Sequence, residues 1–389
     1  MAVGHTTHVY IVAGEESGDR LGAALMRALK ARTGNAVRFS GLGGEQMAHE
    51  GGTARFPIGA LAITGFAGVF RVLGKALSLI RATSDAVVAA NPDVLVIIDS
   101  PEFTLRVAKR VRAKAPAIPI VEYVSPSVWA WRPWRAKAIR RYVDHILALL
   151  PFEPEAHKRL VGPTCTYVGH PLAEKAAALR PNVDEARRRA QDPPIVLLMP
   201  GSRRGELRFM LDVFAAAAAQ LSATAGPIEF VALAVPSHEA RLREAVARWP
   251  APVKIISDVG EKEAAMRSAR AALVKSGTGT LELALAGVPM VAVYKGAALE
   301  AMIMRQLVSV PSVILPNLIL GENVVPELLQ DNATPDKIVN ALAPLLKDSP
   351  ERQAQLDGFA RLDDAMETKT ARPSDRAAEI VIAEAAKRT

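Results

Sequence analysis

The stretch Lys275-Ser276-Gly277-Thr278-Gly279-Thr280-Leu281-Glu282 follows a short apolar run and opens a helical pattern. Small residues expose successive backbone N–H groups, hydroxyls add donors, and a helix N-terminus favours negative charge. Together these form a cradle for a diphosphate. The lysine ending of a Walker A loop is missing. A carboxylate at Glu282 would repel phosphate, so its functional place is on a ribose diol; its bland role is to favour the helix dipole. A second such stretch is Met199-Pro200-Gly201-Ser202-Arg203-Arg204-Gly205-Glu206. Gly201 and Gly205 free the backbone, Arg203 can pair bidentately with phosphate, and a helix starting near Leu207 adds its positive end. The alternative is a turn with surface arginines.

The first half carries a different chemistry. Ala13-Gly14-Glu15-Glu16-Ser17-Gly18-Asp19 turns tightly from a strand into a helix. It is not a G-x-G-x-x-G fingerprint, so a dinucleotide site is unsupported. Asp99 ends the apolar run Val94–Ile98, where open α/β sheets bind ligands; a carboxylate there can act as a general base, or can simply cap the helix beginning near Thr104. Tyr123 to Arg135 holds three of the four tryptophans, interleaved with arginine and proline. Such a loop stacks on sugars or bases, or packs inward. Leu315 to Gln330 sets polar residues in apolar context, the mark of hydrogen-bonded function or turn chemistry. No H-E-x-x-H or Asp-x-Asp pattern is present, so no metal is expected, and Arg203 with helix ends must supply the positive potential.

These stretches need a scaffold that presents loops at strand ends. The 389 residues suit two domains. Strand candidates in the first half are Val9–Ala13, Val37–Ser40, Val94–Ile98, Ile120–Tyr123, His145–Ala148 and Thr166–Val168, with helical patterns between most of them. The alternation restarts at Ile195–Met199, then Glu229–Ala234, Val253–Ile256, Ala272–Lys275 and Met290–Val293. This pattern predicts two doubly wound parallel sheets. The expected division is 1–172, a charged connection over 173–194, a second domain over 195–350, and a helical segment over 351–389. The lone Cys165 excludes an internal disulfide and fits a reducing compartment. No secretory signal or run of membrane-spanning length is apparent, so a cytoplasmic protein without a transmembrane segment is expected. The formal charge of +8 suits an acidic partner without choosing among nucleic acid, anionic lipid and phosphorylated substrate.

Taken together, these motifs resemble the lipid-A-disaccharide synthase family of inverting, GT-B-type glycosyltransferases. The resemblance runs from Val12 to about Gln330, on Ala13–Asp19, Ser125-Pro126-Ser127-Val128-Trp129-Ala130-Trp131-Arg132, Pro200-Gly201-Ser202-Arg203, Ser276-Gly277-Thr278, and Pro316-Asn317 with Pro326-Glu327. Two departures occur. Glu16 stands where the family often has alanine, and Asp99-Ser100-Pro101-Glu102-Phe103 where it commonly has Asp-Ala-Pro-Asp-Phe.

The resemblance implies a GT-B-like fold, two doubly wound parallel-sheet domains facing a central cleft. It implies UDP-2,3-diacylglucosamine as donor and 2,3-diacylglucosamine 1-phosphate as acceptor, yielding the β-1,6 disaccharide 1-phosphate and UDP, with no cofactor. Asp99 would be the base. Ser202, Arg203, Ser276, Gly277, Thr278, Gly279, Thr280, Glu282 and Asn317 would bind the donor. Glu15, Ser17, Trp129 and Arg132 would lie on the acceptor side. The first domain would meet the anionic inner face of the inner membrane through Ile63–Arg81, including Phe66, Val69, Phe70, Leu73 and Lys75; without the resemblance, that stretch reads as an internal amphipathic helix. The final segment would pack on its own first domain or on that of a partner, since some family members form swapped homodimers. The rival readings are another GT-B enzyme acting on UDP-N-acetylglucosamine, a transferase or 2-epimerase, and a basic nucleic-acid-binding module.

Overall fold

The computed structural model describes residues 6–52, 69–201, 203–297, 310–367 and 372–388. The chain divides into two units, Met1–Pro171 with Thr370–Thr389, and Leu172–Lys369.

In the first unit β1 (Thr7–Ala13), β2 (Val37–Leu42), β3 (Val94–Ile98), β4 (Ile120–Tyr123), β5 (His145–Ala148) and β6 (Thr164–Tyr167) form one sheet in the order β2-β1-β3-β4-β5-β6. Every pairing is parallel. Side chains alternate across a strand, so β3 feeds two cores. Val94, Val96 and Ile98 face the helix Glu16–Thr33, while Leu95 and Ile97 face the helix Pro101–Lys114. A strand covered on both faces must be apolar throughout, which is why Val94–Ile98 has no polar residue.

The second unit repeats the plan with β7 (Ile195–Met199), β8 (Glu229–Leu233), β9 (Val253–Ile256), β10 (Ala271–Lys275), β11 (Met290–Tyr294) and β12 (Glu327–Leu329). Their order is β12-β11-β10-β7-β8-β9, again parallel. Three-residue β12 falls in the stretch Leu315–Gln330, where the sequence points to hydrogen-bonded function or turn chemistry. It exists because Ala292–Tyr294 offers it a register from Glu327 to Leu329.

In each sheet the strand order reverses once. From β1 the chain runs outward to β2 and then returns to β3 on the other side; from β7 it runs out to β9 and returns to β10. The helices after β1 and β3 pack on opposite faces, as do those after β7 and β10. A crevice therefore opens at the carboxyl ends of each pair, where open α/β sheets take ligands.

The charged stretch 173–194 forms the helices Pro171–Leu179 and Val183–Ala190 rather than a bare connection. Leu172, Ala176 and Leu179 join the core of the second unit. Arg189 donates to the carbonyls of Met266, Arg267, Gly287 and Ala286. Burial lowers its pKa to about 10, so this arginine is a tether and not part of a solvated basic face.

The last segment divides between the units. Pro350–Ala365 packs on the second through Phe359 and Leu362. Pro373–Ala386 packs on its own chain's first unit, burying Ala377, Ala378, Val381 and Ala385 against the helix Glu16–Thr33. His145 on β5 donates through Nδ1 to Glu384 at 2.9 Å, fixing its rotation.

Val381 is fully buried there. Val381→Asp should cost on the order of 3–5 kcal/mol, the effect of an unpaired buried charge. Urea unfolding should show the loss in the transition of the first unit, with that of the second unmoved.

Candidate functional site

At the reversal of the first sheet, the loops after β1 and β3 are pressed together. A Cβ on Gly14 would stand 2.6 Å from Ser100 Cβ and Oγ, so only glycine lets the loops close. Asp99 (φ 54°) and Ser100 (φ 47°) both take the left-handed conformation, an unusual pair for non-glycine residues. This turn swings the Asp99 carboxylate out of the strand line and toward the helix Glu16–Thr33. Ser17 Oγ donates to Asp99 Oδ2 at 3.0 Å, and Ser100 N–H donates to Oδ1 at 2.7 Å. Both oxygens are thus held, and each keeps a lone pair for a further donor. Glu15 is exposed at the N-cap of that helix. Asp19 does not cap its own helix; buried, it accepts from the amides of Gly44, Gln46 and Met47 and fastens the next turn of chain.

The tryptophan loop after β4 is fixed from beneath. Trp129 Nε1 donates to Glu153 Oε1 at 3.0 Å, and the ring meets Phe152 edge-on at 4.9 Å. Glu153 also accepts from the amides of Leu149 and Leu150. Burial raises its pKa to about 7 against those hydrogen bonds. Ser125 Oγ lies 2.9 Å from His157 Nε2, and burial lowers that imidazole to about 4. Behind the loop, fully buried Glu122 on β4 is held well above the carboxylate range by desolvation, and its Oε2 has no partner among the described residues. Trp129 therefore braces the loop. Arg132 stacks over Trp131, with Cζ 4.2 Å from the ring centroid, and Trp134 is 64% exposed.

The loops of the second unit meet at the reversal between β7 and β10. Gly277 is the N-cap of the helix Thr278–Leu285, with φ 155°. The amides of the first helical turn have few partners within a helix, so this end presents donors. Ser276 is buried and Thr278 exposed. Thr280 departs from the expectation that it offers donors. It is fully buried, its Oγ1 donates to the Gly277 carbonyl at 2.7 Å, and its N–H donates to the same oxygen at 3.1 Å. It braces the cradle from inside. Glu282 lies half-buried in the second turn of the helix.

Arg203 is the N-cap of the helix Arg204–Ala225, and its side chain is 78% exposed. Ser202 lies outside the described residues. Sequence reasoning gave no role to Lys275 and Glu206, yet they pair at 2.9 Å and link the two loops. Their positions, immediately before the glycine loop and three residues after Arg203, were the only signal.

Asn317 also departs from its expected role of positioning donor groups. It is buried, with Oδ1 accepting from Val325 N–H at 2.8 Å and Nδ2 donating to the Val325 carbonyl at 2.9 Å. Glu327 accepts from Ser312 and from the Val313 amide. These amide and carboxylate groups clamp the 312–327 segment, whose Val313 carbonyl accepts from Ser276 Oγ at 3.4 Å. Among the expected lipid-facing residues, Phe66 lies outside the described residues, as do the side chains of Val69, Phe70, Leu73 and Lys75 on the helix Val69–Ala90.

Two parallel six-stranded sheets, each with polar loops at its reversal, have the architecture of the GT-B fold. Solved structures agree on that fold. The glycotransferase of kitacinnamycin superposes with a TM-score of 0.63 at 17% identity, covering 98% of this chain and 100% of that one. MurG of Acinetobacter baumannii gives 0.57 at 14%, covering 97% and 99%. The Methanocaldococcus jannaschii UDP-GlcNAc 2-epimerase, solved with UDP-GlcNAc and UDP, gives 0.60 at 12%, covering 97% and 100%. The family model described as lipid-A-disaccharide synthetase matches residues 9–381. The lipid-A-disaccharide synthase of Nitrobacter hamburgensis is 55% identical over 381 residues, 98% of this chain and 96% of that protein. The chain belongs to the lipid-A-disaccharide synthase family, glycosyltransferases of lipid A biosynthesis. This membership decides against the rival transferase, epimerase and nucleic-acid readings.

Glu153 and His157 should pull stability in opposite directions. Glu153 binds its proton more tightly folded (about 7) than unfolded (near 4.5), so its contribution is full below 4.5 and is lost as pH rises to 7. His157 binds its proton less tightly folded (about 4) than unfolded (near 6.5), so its contribution is lost as pH falls through that window. Glu153→Gln removes the first effect alone. The stability of the unmodified protein relative to this variant should grow by on the order of 3 kcal/mol as pH falls from 7 to 4.5. Parallel unfolding curves would mean that Glu153 titrates normally.

Proposed function

We propose that this chain transfers 2,3-diacylglucosamine from UDP-2,3-diacylglucosamine to the 6-hydroxyl of 2,3-diacylglucosamine 1-phosphate, with inversion at the anomeric carbon. Asp99 takes the hydroxyl proton, the oxygen bonds to the anomeric carbon, and the bond from that carbon to UDP breaks with its electron pair leaving on the diphosphate. Ser17 and the Ser100 amide hold the carboxylate at a fixed angle, so the proton acceptor needs no reorganisation as the proton moves. Glu15 and Arg132 flank the acceptor. The Gly277–Gly279 amides, the hydroxyls of Ser276 and Thr278, and Arg203 stabilise the charge growing on UDP, while Glu282 binds ribose. No cofactor or metal is required. The observation that carries this reading is the Asp99 carboxylate, anchored at both oxygens where the first sheet reverses.

Acylated substrates bring the enzyme to a bilayer. Among the described residues no helix is long and apolar enough to cross one. Peripheral docking on an anionic inner face is supported by exposed Trp134 beside exposed Lys137, Arg140 and Arg141.

Release of UDP from the acylated pair in excess chelator, compared with unacylated UDP-N-acetylglucosamine, tests the reading. The acylated pair alone should turn over, at an undiminished rate. Equal rates with the unacylated donor would defeat the lipid assignment, and loss restored by a divalent ion would defeat the metal-free one. Asp99→Asn should lower kcat by about 10²–10⁴ with UDP affinity unchanged; near-normal turnover would remove Asp99 as the base.

A further inference from the structure

We infer that Lys275 is a second cation, besides Arg203, that meets the diphosphate, and that Glu206 holds it in place. The inference rests on the donor being a nucleoside diphosphate sugar, as proposed above.

Lys275 is the last residue of β10, and Glu206 lies in the first turn of the helix after β7. Their 2.9 Å contact spans the reversal of the second sheet, with side chains only 16% and 13% exposed. Glu206 also accepts from the Arg203 amide at 3.3 Å, so its carboxylate is fixed by backbone as well as by charge. On the other side, the Tyr294 ring centroid is 5.4 Å from the ammonium.

The ammonium stands 3.6 Å from where a Cβ on Gly277 would be. It therefore sits over the N-cap of the helix Thr278–Leu285. A cation is on the wrong end of a helix there, because the dipole and the unpaired amides are already positive. Enclosure adds a desolvation cost that can exceed what a simple ion pair returns. Stability alone gives no reason for a lysine at this position. An anion seated on the Gly277–Gly279 amides gives one, since it would meet the amides and the ammonium together. Glu206 neutralises Lys275 in the free protein, and the diphosphate does so in the complex. As UDP departs, its added negative charge falls beside an ammonium already in place. Arg203, 78% exposed and 3.7 Å from Glu206, is not fixed in this way.

UDP titration by calorimetry on the full chain tests this. Lys275→Gln keeps a hydrogen bond to Glu206 but removes the charge; its UDP affinity should fall about tenfold to a hundredfold. Lys275→Arg should restore most of it. Glu206→Gln should tighten UDP, because a like charge is gone. If the pair only ties two elements together, Lys275→Gln and Glu206→Gln will weaken UDP alike, and that result overturns the inference. So does undiminished UDP affinity in a folded Lys275→Gln protein. Failure of the unmodified protein to bind UDP would instead overturn the donor reading, and this inference with it.

Discussion

The order of strands reverses once in each parallel sheet, and that reversal sends the two flanking helices to opposite faces. The loops at their starts are left beside a crevice with no secondary structure to close it. Polar contacts do so instead. In the first unit Gly14 admits Ser100, and Ser17 bonds Asp99. In the second, Lys275 pairs with Glu206. Each contact joins residues more than sixty positions apart and aims a charged group at the crevice mouth. The apolar strands beneath make these positions rigid, since β3 has no exposed residue and cannot tilt without opening both cores.

Around these points, buried polar residues hold loops in shape. Asp19, Glu153, Asn317 and Thr280 each satisfy backbone groups that a loop would otherwise leave unpaired. Their chemistry is that of functional side chains, but their hydrogen-bonding capacity is largely spent inside the protein. Asp99 differs. It is half-buried, and the hydrogen bonds from Ser17 and the Ser100 amide leave lone pairs available. The division of work follows from exposure and from where the hydrogen bonds go.

The glycine-rich turns, the strand-end position of Asp99 and the uniformly apolar strands were legible in the sequence, because each depends on residue type at short range. The uniform apolar run Val94–Ile98 reads as a covered strand, and Ser276–Thr280 reads as a turn into a helix. β12 was not legible, because its three residues become a strand only through the register offered by β11. Nor was the tether at Arg189, whose carbonyl partners lie 77 to 98 residues away.

By itself, then, the sequence determined two α/β units, the loops that end their strands, and a family resemblance carried by those loops. Tertiary structure decided which side chains remain available for chemistry. Thr280 and Asn317 turned inward because the nearest unpaired backbone groups were theirs to satisfy. Lys275 turned toward Gly277 because Glu206, from another strand's helix, was there to hold it. Hydrogen-bond capacity and charge pairing are settled among residues distant in sequence, so they become visible only when the chain has folded.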